Sequence, residues 1–133
     1  MKYTSIYFSP TATTKKEVNT VEKEISSEGK SYDVTLTEDR ENIYEIDSDS
    51  ILIVGAPVYA GRIPELFEEY LKALQVKNQK IILVALYGNR AYEDALLEMK
   101  DIFENKNCIV IAAGAFIGEH SCTSKVAYLR PDK

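Results

Sequence analysis

Five apolar runs of β type alternate with stretches of helical periodicity, and that alternation leaves few folds open to this chain. The runs are Lys2 to Phe8, Ser31 to Leu36, Ser50 to Gly55, Lys80 to Leu86 and Cys108 to Phe116. Ile51-Leu52-Ile53-Val54 and Ile81 to Leu86 are continuously apolar, as in central strands buried on both faces. Tyr32, Val34 and Leu36 alternate instead, so the second run reads as a half-exposed edge. Between the runs, Val18, Val21 and Ile25 mark a helix over Thr14 to Ser27, with Gly29 as its stop. Leu66 or Phe67, with Tyr70, Leu71 and Leu74, marks a helix beginning near Pro64. Ala95, Leu96, Met99, Ile102 and Phe103 mark another over Tyr92 to Asn105. Pro57 is expected to end the third strand, and the acidic stretch Glu38 to Asp49 reads as a loop with at most a short helix. This order predicts a three-layer α/β sandwich: a five-stranded parallel sheet of order 2-1-3-4-5 with helices on both faces. A ligand would then sit beyond the carboxyl ends of strands one and three.

A chain of 133 residues suffices for one domain, residues 1–133, around one core. Its longest apolar runs are far too short to cross a bilayer, and its start lacks the apolar stretch of a secretion signal, so the cytoplasm is the expected location and no membrane partner is implied. The net charge of −5 is spread along the chain, which disfavours nucleic acid and suits a small carrier steered toward basic partners. Cys108 and Cys122 form no C-x-x-C, so no zinc knuckle, dithiol motif or iron–sulfur ligation is expected. Only seventeen residues follow Phe116, where this architecture usually has a closing helix. The last helix is therefore expected to be short or missing, with Val126, Tyr128 and Leu129 supplying at most a stub. Either the chain is a cut fragment or a partner covers the open apolar face, a homodimer being one way to do so.

The chemistry-bearing residues fall in three loops that this topology brings to one sheet edge. After strand one, Ser9-Pro10-Thr11-Ala12-Thr13-Thr14 places four hydroxyls on a strand-to-helix turn, where backbone N–H groups have no intrahelical partner. Such a turn suits a phosphate, although Ser and Thr also favour ordinary helix caps. There is no Gly-x-Gly-x-x-Gly and no Gly-Lys-Ser/Thr, so dinucleotide and nucleoside-triphosphate loops do not fit. After strand three, Pro57-Val58-Tyr59-Ala60-Gly61-Arg62 offers a flat ring at Tyr59 and a glycine tolerant of a flipped peptide at Gly61. After strand four come Tyr87, Gly88, Asn89 and Tyr92: either tyrosine suits a second wall, Gly88 a close backbone approach and Asn89 a hydrogen bond to a ring edge. Packing in the core is the commoner fate of a lone tyrosine, but three in two converging loops favour a flat ligand. Lys15 and Lys16 read as solvated first-turn side chains or as support for a phosphate. Arg62 reads as a cation at the edge of such a flat ligand or as a surface partner of Glu65 or Glu68. His120, the only histidine, follows strand five as a proton-tuning or structural residue.

These loops, together with Gly114-Ala115-Phe116-Ile117-Gly118-Glu119-His120-Ser121, resemble the flavodoxin domain of the flavodoxin–ferredoxin fusion proteins found mainly in anaerobes. The resemblance covers nearly the whole chain. It implies a flavodoxin-like fold, noncovalent FMN held by the three loops, and electron transfer rather than substrate turnover. Its partner would be a ferredoxin or other iron–sulfur protein, or a reductase. Two positions depart from the family: Ala12 and Ala60 stand where glycine is frequent, and the cysteine-rich ferredoxin half has no counterpart. The methyl of Ala12 suits the loop only at negative φ and otherwise weakens phosphate binding. The competing readings are an FMN-dependent NAD(P)H reductase, for which no nicotinamide motif is seen, and a cofactor-free interaction module of the same fold.

Overall fold

Runs of Ile, Leu and Val need a dry surface on both sides, and the centre of the sheet provides it. The computed structural model describes residues 2–42, 44, 46–59, 61–87, 93–117 and 127–129. The strands are β1 (Lys2–Tyr7), β2 (Gly29–Asp33), β3 (Ser50–Pro57), β4 (Lys80–Tyr87), β5 (Ile109–Ile117) and β6 (Ala127–Leu129). The helices are α1 (Thr13–Ile25), α2 (Thr37–Glu41), α3 (Glu65–Ala73) and α4 (Glu93–Glu104). The first five strands are all parallel, in the order 2-1-3-4-5, as expected from the alternation. A sixth strand then extends the sheet: β6 runs antiparallel to β5, pairing Ala113 with Leu129 and Ala115 with Ala127. Tyr128 and Leu129 thus lie in an edge strand, where the sequence suggested a helical stub.

Each face of the sheet carries its own apolar cluster. On one face Ile6, Leu52, Val54, Ile81 and Leu83 meet α3 through Phe67 and Leu71, and α4 through Ala95, Leu96, Met99, Ile102 and Phe103. Phe67, not Leu66, is the buried residue of α3; Leu66 is exposed, while Tyr70 and Leu74 are only partly covered. Cys108, just before β5 rather than within it, is a buried free thiol in this cluster. On the other face Tyr7, Ile53, Ile82, Val84 and Leu86 pack with Val18 of α1. A bulge in β5 sets Ile82 opposite Ala112 directly after Ile81 opposite Val110. It puts Ile111 and Ala112 together on the α1 face, where both stay partly exposed.

Local chemistry explains where the element ends depart from the sequence reading. β2 stops at Asp33 rather than Leu36 because Asp33 Oδ1 accepts the Thr35 N–H at 3.0 Å, an Asx bend that turns the chain and leaves Leu36 exposed. Val34 still donates to the Tyr7 carbonyl and is fully buried. α1 ends at Ile25, with Ser26 extended, and Gly29 opens β2 opposite Tyr3 instead of capping the helix. Pro57 does not halt β3 early but is its last paired residue, opposite Leu86, where a missing N–H costs least. The acidic stretch holds the one-turn α2, tied down by Arg40, which donates to the carbonyls of Val34 and Thr35.

α1 sits unusually close to the sheet and carries two carboxylates inward. A Cβ on Gly55 of β3 would fall 2.3 Å from Val18 Cγ2 and 3.3 Å from Thr14 Cγ2, so glycine is what lets the helix approach. Glu22 is buried and accepts a 2.5 Å hydrogen bond from Ser31 Oγ of β2. Glu17 is buried too, and desolvation holds its carboxyl above the usual carboxylate range. A carboxyl with a raised pKa favours the folded state at low pH and opposes it once pH climbs through the folded value. Glu17→Gln is therefore expected to raise the unfolding midpoint at pH 7 and to lose that advantage in acid, as thermal melts across pH would show. Gly55→Ala is expected to cost roughly 1–3 kcal/mol by forcing α1 away from β3, measurable by urea denaturation.

Candidate functional site

Because β1, β3 and β4 are adjacent and parallel, the segments that follow Tyr7, Pro57 and Tyr87 all leave the same edge of the sheet. Among the predicted site residues, Ser9 to Thr14, Pro57, Val58, Tyr59, Gly61 and Tyr87 are brought to that edge by their strands. Ala60, Gly88, Asn89 and Tyr92 lie outside the described residues, as do His120 and Cys122.

The turn after β1 is built from the inside. Phe8 is buried in the core, and its N–H donates to the Gly55 carbonyl, continuing the sheet. Ser9 is nearly covered: its N–H donates to Thr35 Oγ1 at 2.8 Å, and its hydroxyl oxygen accepts the Lys15 N–H at 3.0 Å. Ser9 thus caps α1 from six residues upstream, yet its O–H remains able to donate to an anion. Thr35 in turn hydrogen-bonds Asp33 Oδ1, so the segment after β2 braces the turn. The Arg40 guanidinium lies over the Phe8 ring, 5.7 Å from its centroid, and adds to that brace. Sequence reading did not single out Asp33 and Thr35; their D-x-T spacing directly after a strand was the available signal.

Beyond Ser9 the turn faces outward. Pro10, Thr11 and Ala12 are exposed, and Thr11 Oγ1 lies 3.4 Å from Thr13 Oγ1, at the long limit for a hydrogen bond. Thr14 is buried with its methyl toward Gly55. The Ala12 N–H bonds the Ser9 carbonyl, whereas the amides of Thr11, Thr13 and Thr14 find no acceptor among the described residues. Ala12 is the N-cap of α1, with φ of 69° and no side-chain cap. The negative φ that would have suited its methyl is not what the chain adopts, and a left-handed alanine costs about 1 kcal/mol or more. Lys15 and Lys16 extend from the first turn into solvent, alongside Lys23, on the outer face of α1.

The segment after β3 forms a tight turn. Val58 donates to the Leu86 carbonyl at 2.8 Å, holding the loop to β4 as it leaves the sheet. The Tyr59 N–H donates to the Arg62 carbonyl at 2.8 Å, and the Arg62 N–H returns to the Tyr59 carbonyl at 3.0 Å. Gly61 has φ of 83°, the left-handed value that a turn of this kind reserves for glycine. The Tyr59 ring is 54% exposed, available as a wall for a flat molecule, while Tyr87 is partly buried against the core. Arg62 is paired on the surface, but with Glu98 at 2.8 Å and Glu68 at 3.6 Å rather than with Glu65. Glu98, on α4, is a partner that sequence spacing alone could not reveal.

Electrostatics at this edge are mild. Tyr7, under the turn, is pushed up to about 12 by burial, reinforced by Asp33 and Glu22, so its hydroxyl stays neutral at physiological pH. A groove of about 510 Å³ opens at the opposite edge, among Lys2, Glu28, Lys30 and Asp47, and holds none of the predicted site residues. No helix of the described residues is long and apolar enough to cross a membrane.

No protein-family profile matches the chain, and no curated relative does. Solved structures do. A flavodoxin from Streptococcus pneumoniae TIGR4 is 15% identical, with a TM-score of 0.61 over 88% of this chain and 84% of that one. A flavoprotein from Lactobacillus acidophilus, solved in complex with FMN, is 13% identical, with a TM-score of 0.60 over 86% and 91%. A Fusobacterium nucleatum flavodoxin bound to flavin mononucleotide is 17% identical, with a TM-score of 0.55 over 84% and 70%. Strand order, helix placement and these likenesses agree: the chain has the flavodoxin-like α/β fold.

Proposed function

We propose that the protein binds FMN noncovalently at the carboxyl edge of β1, β3 and β4 and serves as an electron carrier. The observation that supports this most is the outward-facing turn Pro10–Thr13: amides with no acceptor among the described residues, exposed threonine hydroxyls, the amino end of α1, and the exposed Tyr59 ring on the neighbouring loop. That donor set fits a phosphate monoester on one side and a flat aromatic ring on the other. Solved structures of the same fold that hold FMN add support.

In this reading Thr11, Thr13 and the Ser9 hydroxyl donate to the phosphate, with the amides of Thr13 and Thr14 behind them. Asp33 and Thr35 hold Ser9 in place, so the turn is arranged before the ligand arrives and less ordering entropy is lost on binding. Tyr59 covers one face of the ring and Pro57 and Val58 line its approach, with Ala60, Gly88, Asn89 and Tyr92 as further contacts proposed from the sequence. FMN, when bound, supplies reversible one- and two-electron chemistry, and the protein supplies orientation and electrostatics. No side-chain acid or base is needed. A ferredoxin or another iron–sulfur protein, or a reductase, is the proposed partner, in a reducing cytoplasm that suits the buried free thiol of Cys108.

Ala12 favours a second reading. A left-handed alanine in the phosphate turn is a residue that selection for tight FMN would replace by glycine, so a module of this fold without a cofactor is the alternative. Titrating FMN with the apoprotein separates the two: saturable quenching of flavin fluorescence is expected, and its absence at micromolar protein favours the second reading. NADPH oxidation well above that of free FMN would instead indicate a reductase. Ala12→Gly is expected to stabilise the chain by roughly 1 kcal/mol. Because the turn holds this φ before FMN arrives, the strain is relieved in free and bound forms alike, and FMN affinity is expected to stay within about fivefold of wild type, the range this energy spans. Denaturation and calorimetric titration would measure both, and an affinity weakened beyond that range would count against the assigned turn.

A further inference from the structure

Arg62 occupies a position that its surface exposure disguises. Its backbone N–H and carbonyl close the turn with Tyr59, so any displacement of Arg62 is a displacement of the turn. Its guanidinium reaches Glu98 Oε2 of α4 at 2.8 Å and Glu68 Oε1 of α3 at 3.6 Å. Glu68 Oε2 in turn meets Lys72 Nζ at 3.3 Å. The two carboxylate side chains are only 18% and 14% exposed, whereas the Arg62 side chain is 67% exposed. Two carboxylates on different helices thus converge, mostly covered, on one cation carried by the loop.

This arrangement is not needed to hold the fold. Ile63, the next residue, is buried in the core, and Pro64 is the N-cap of α3, so the far side of the turn is already anchored. Exposed ion pairs are individually weak, on the order of 0.2–1 kcal/mol. That is too little to define a fold. An interaction of this size biases the turn around Gly61 without freezing it.

We propose that the Lys72–Glu68–Arg62–Glu98 network is a tether that positions the Tyr59–Arg62 turn against α3 and α4. Through that turn it tunes the relative affinity of the site for oxidised and reduced FMN. The proposal rests on the FMN reading above. Bound there, FMN would accept a hydrogen bond at its ring edge when oxidised and donate one after taking up an electron and a proton, so a peptide group beside that edge would have to exchange an N–H donor role for a carbonyl acceptor role. The tether raises the cost of that rearrangement by holding both ends of the turn in the conformation seen here. Arg62 is accordingly a positioning residue and touches the cofactor only through the turn.

The test compares the wild-type chain with Arg62→Ala, Arg62→Lys and Glu98→Gln. Arg62→Ala removes the tether and Glu98→Gln weakens its shorter link, while the two change the local charge in opposite senses. Two readouts are taken: amide hydrogen exchange of Gly61 and Arg62 without FMN, and the ratio of affinities for oxidised and reduced FMN. Both variants are expected to speed exchange of the Arg62 amide roughly two- to fivefold. Both are expected to shift the affinity ratio in the same direction, Glu98→Gln by less, and Arg62→Lys to stay near wild type in both readouts. Shifts in opposite directions would mean that only charge is felt, and would overturn the proposal. Unchanged exchange and an unchanged ratio would reduce the network to a solvated surface pair and overturn it equally. Wild-type protein that refuses FMN sinks the functional reading with it, whereas wild-type binding with either failure sinks this proposal alone.

Discussion

The placement of β1 between β2 and β3 is the constraint from which the rest of the molecule follows. All three strands are parallel, so each must hand the chain to the same edge before a helix carries it back. The turn after β1, the bend after β2 and the loop after β3 therefore meet without any sequence signal that names them as neighbours. Thr35 comes to brace Ser9 because β2 lies against β1. Likewise Val58 comes to bond Leu86 because β3 lies against β4. Gly55 belongs to the same constraint. It sits opposite Tyr7 in β1, and its missing side chain lets α1 press onto the sheet, which aims the first turn of the helix over the edge.

The site is assembled from parts of unequal rigidity. Ser9 is fixed by two hydrogen bonds and Phe8 by the core, so the inner half of the turn after β1 is held in place. Its outer half is solvent-facing and carries the strained Ala12. The loop after β3 is built similarly, with Val58 and Ile63 anchored and the turn between them held by its own two backbone bonds and the Arg62 ion pairs. A binding edge of that kind couples a firm base to a tip that weak interactions can bias. In the proposed reading, that suits a cofactor whose hydrogen-bonding needs change with its redox state.

How far the residues alone could be read depended on whether a feature was local. The continuous Ile-Leu-Ile-Val of β3 and the helical spacing of Ala95, Met99, Ile102 and Phe103 encode burial directly, and those elements lie where they were expected. The choice between Leu66 and Phe67 stayed open because one turn of α3 offers either to the sheet, and only packing against Phe8 selects Phe67. The end of β2 was misplaced because the Asp33 side chain competes with the ladder for backbone N–H groups, a contest that periodicity does not register. The final segment was read as a stub of helix; an unpaired edge on β5 instead gives Ala127–Leu129 a partner, and such an edge exists only once the sheet is formed.

By itself, then, the order of apolar runs and helical stretches determined the α/β class, the parallel sheet and the edge at which the loops after β1, β3 and β4 leave it. Each of these follows from which residues must be dry and from the handedness of strand–helix–strand connections. The tertiary structure alone decided the sign of φ at Ala12, the bracing of Ser9 by Thr35 and the pairing of Arg62 with Glu98. These depend on contacts between residues twenty-six and thirty-six positions apart, or on a backbone angle that alanine disfavours in isolation. Local sequence cannot encode such features, because the free energy that selects them resides in the neighbours the fold supplies.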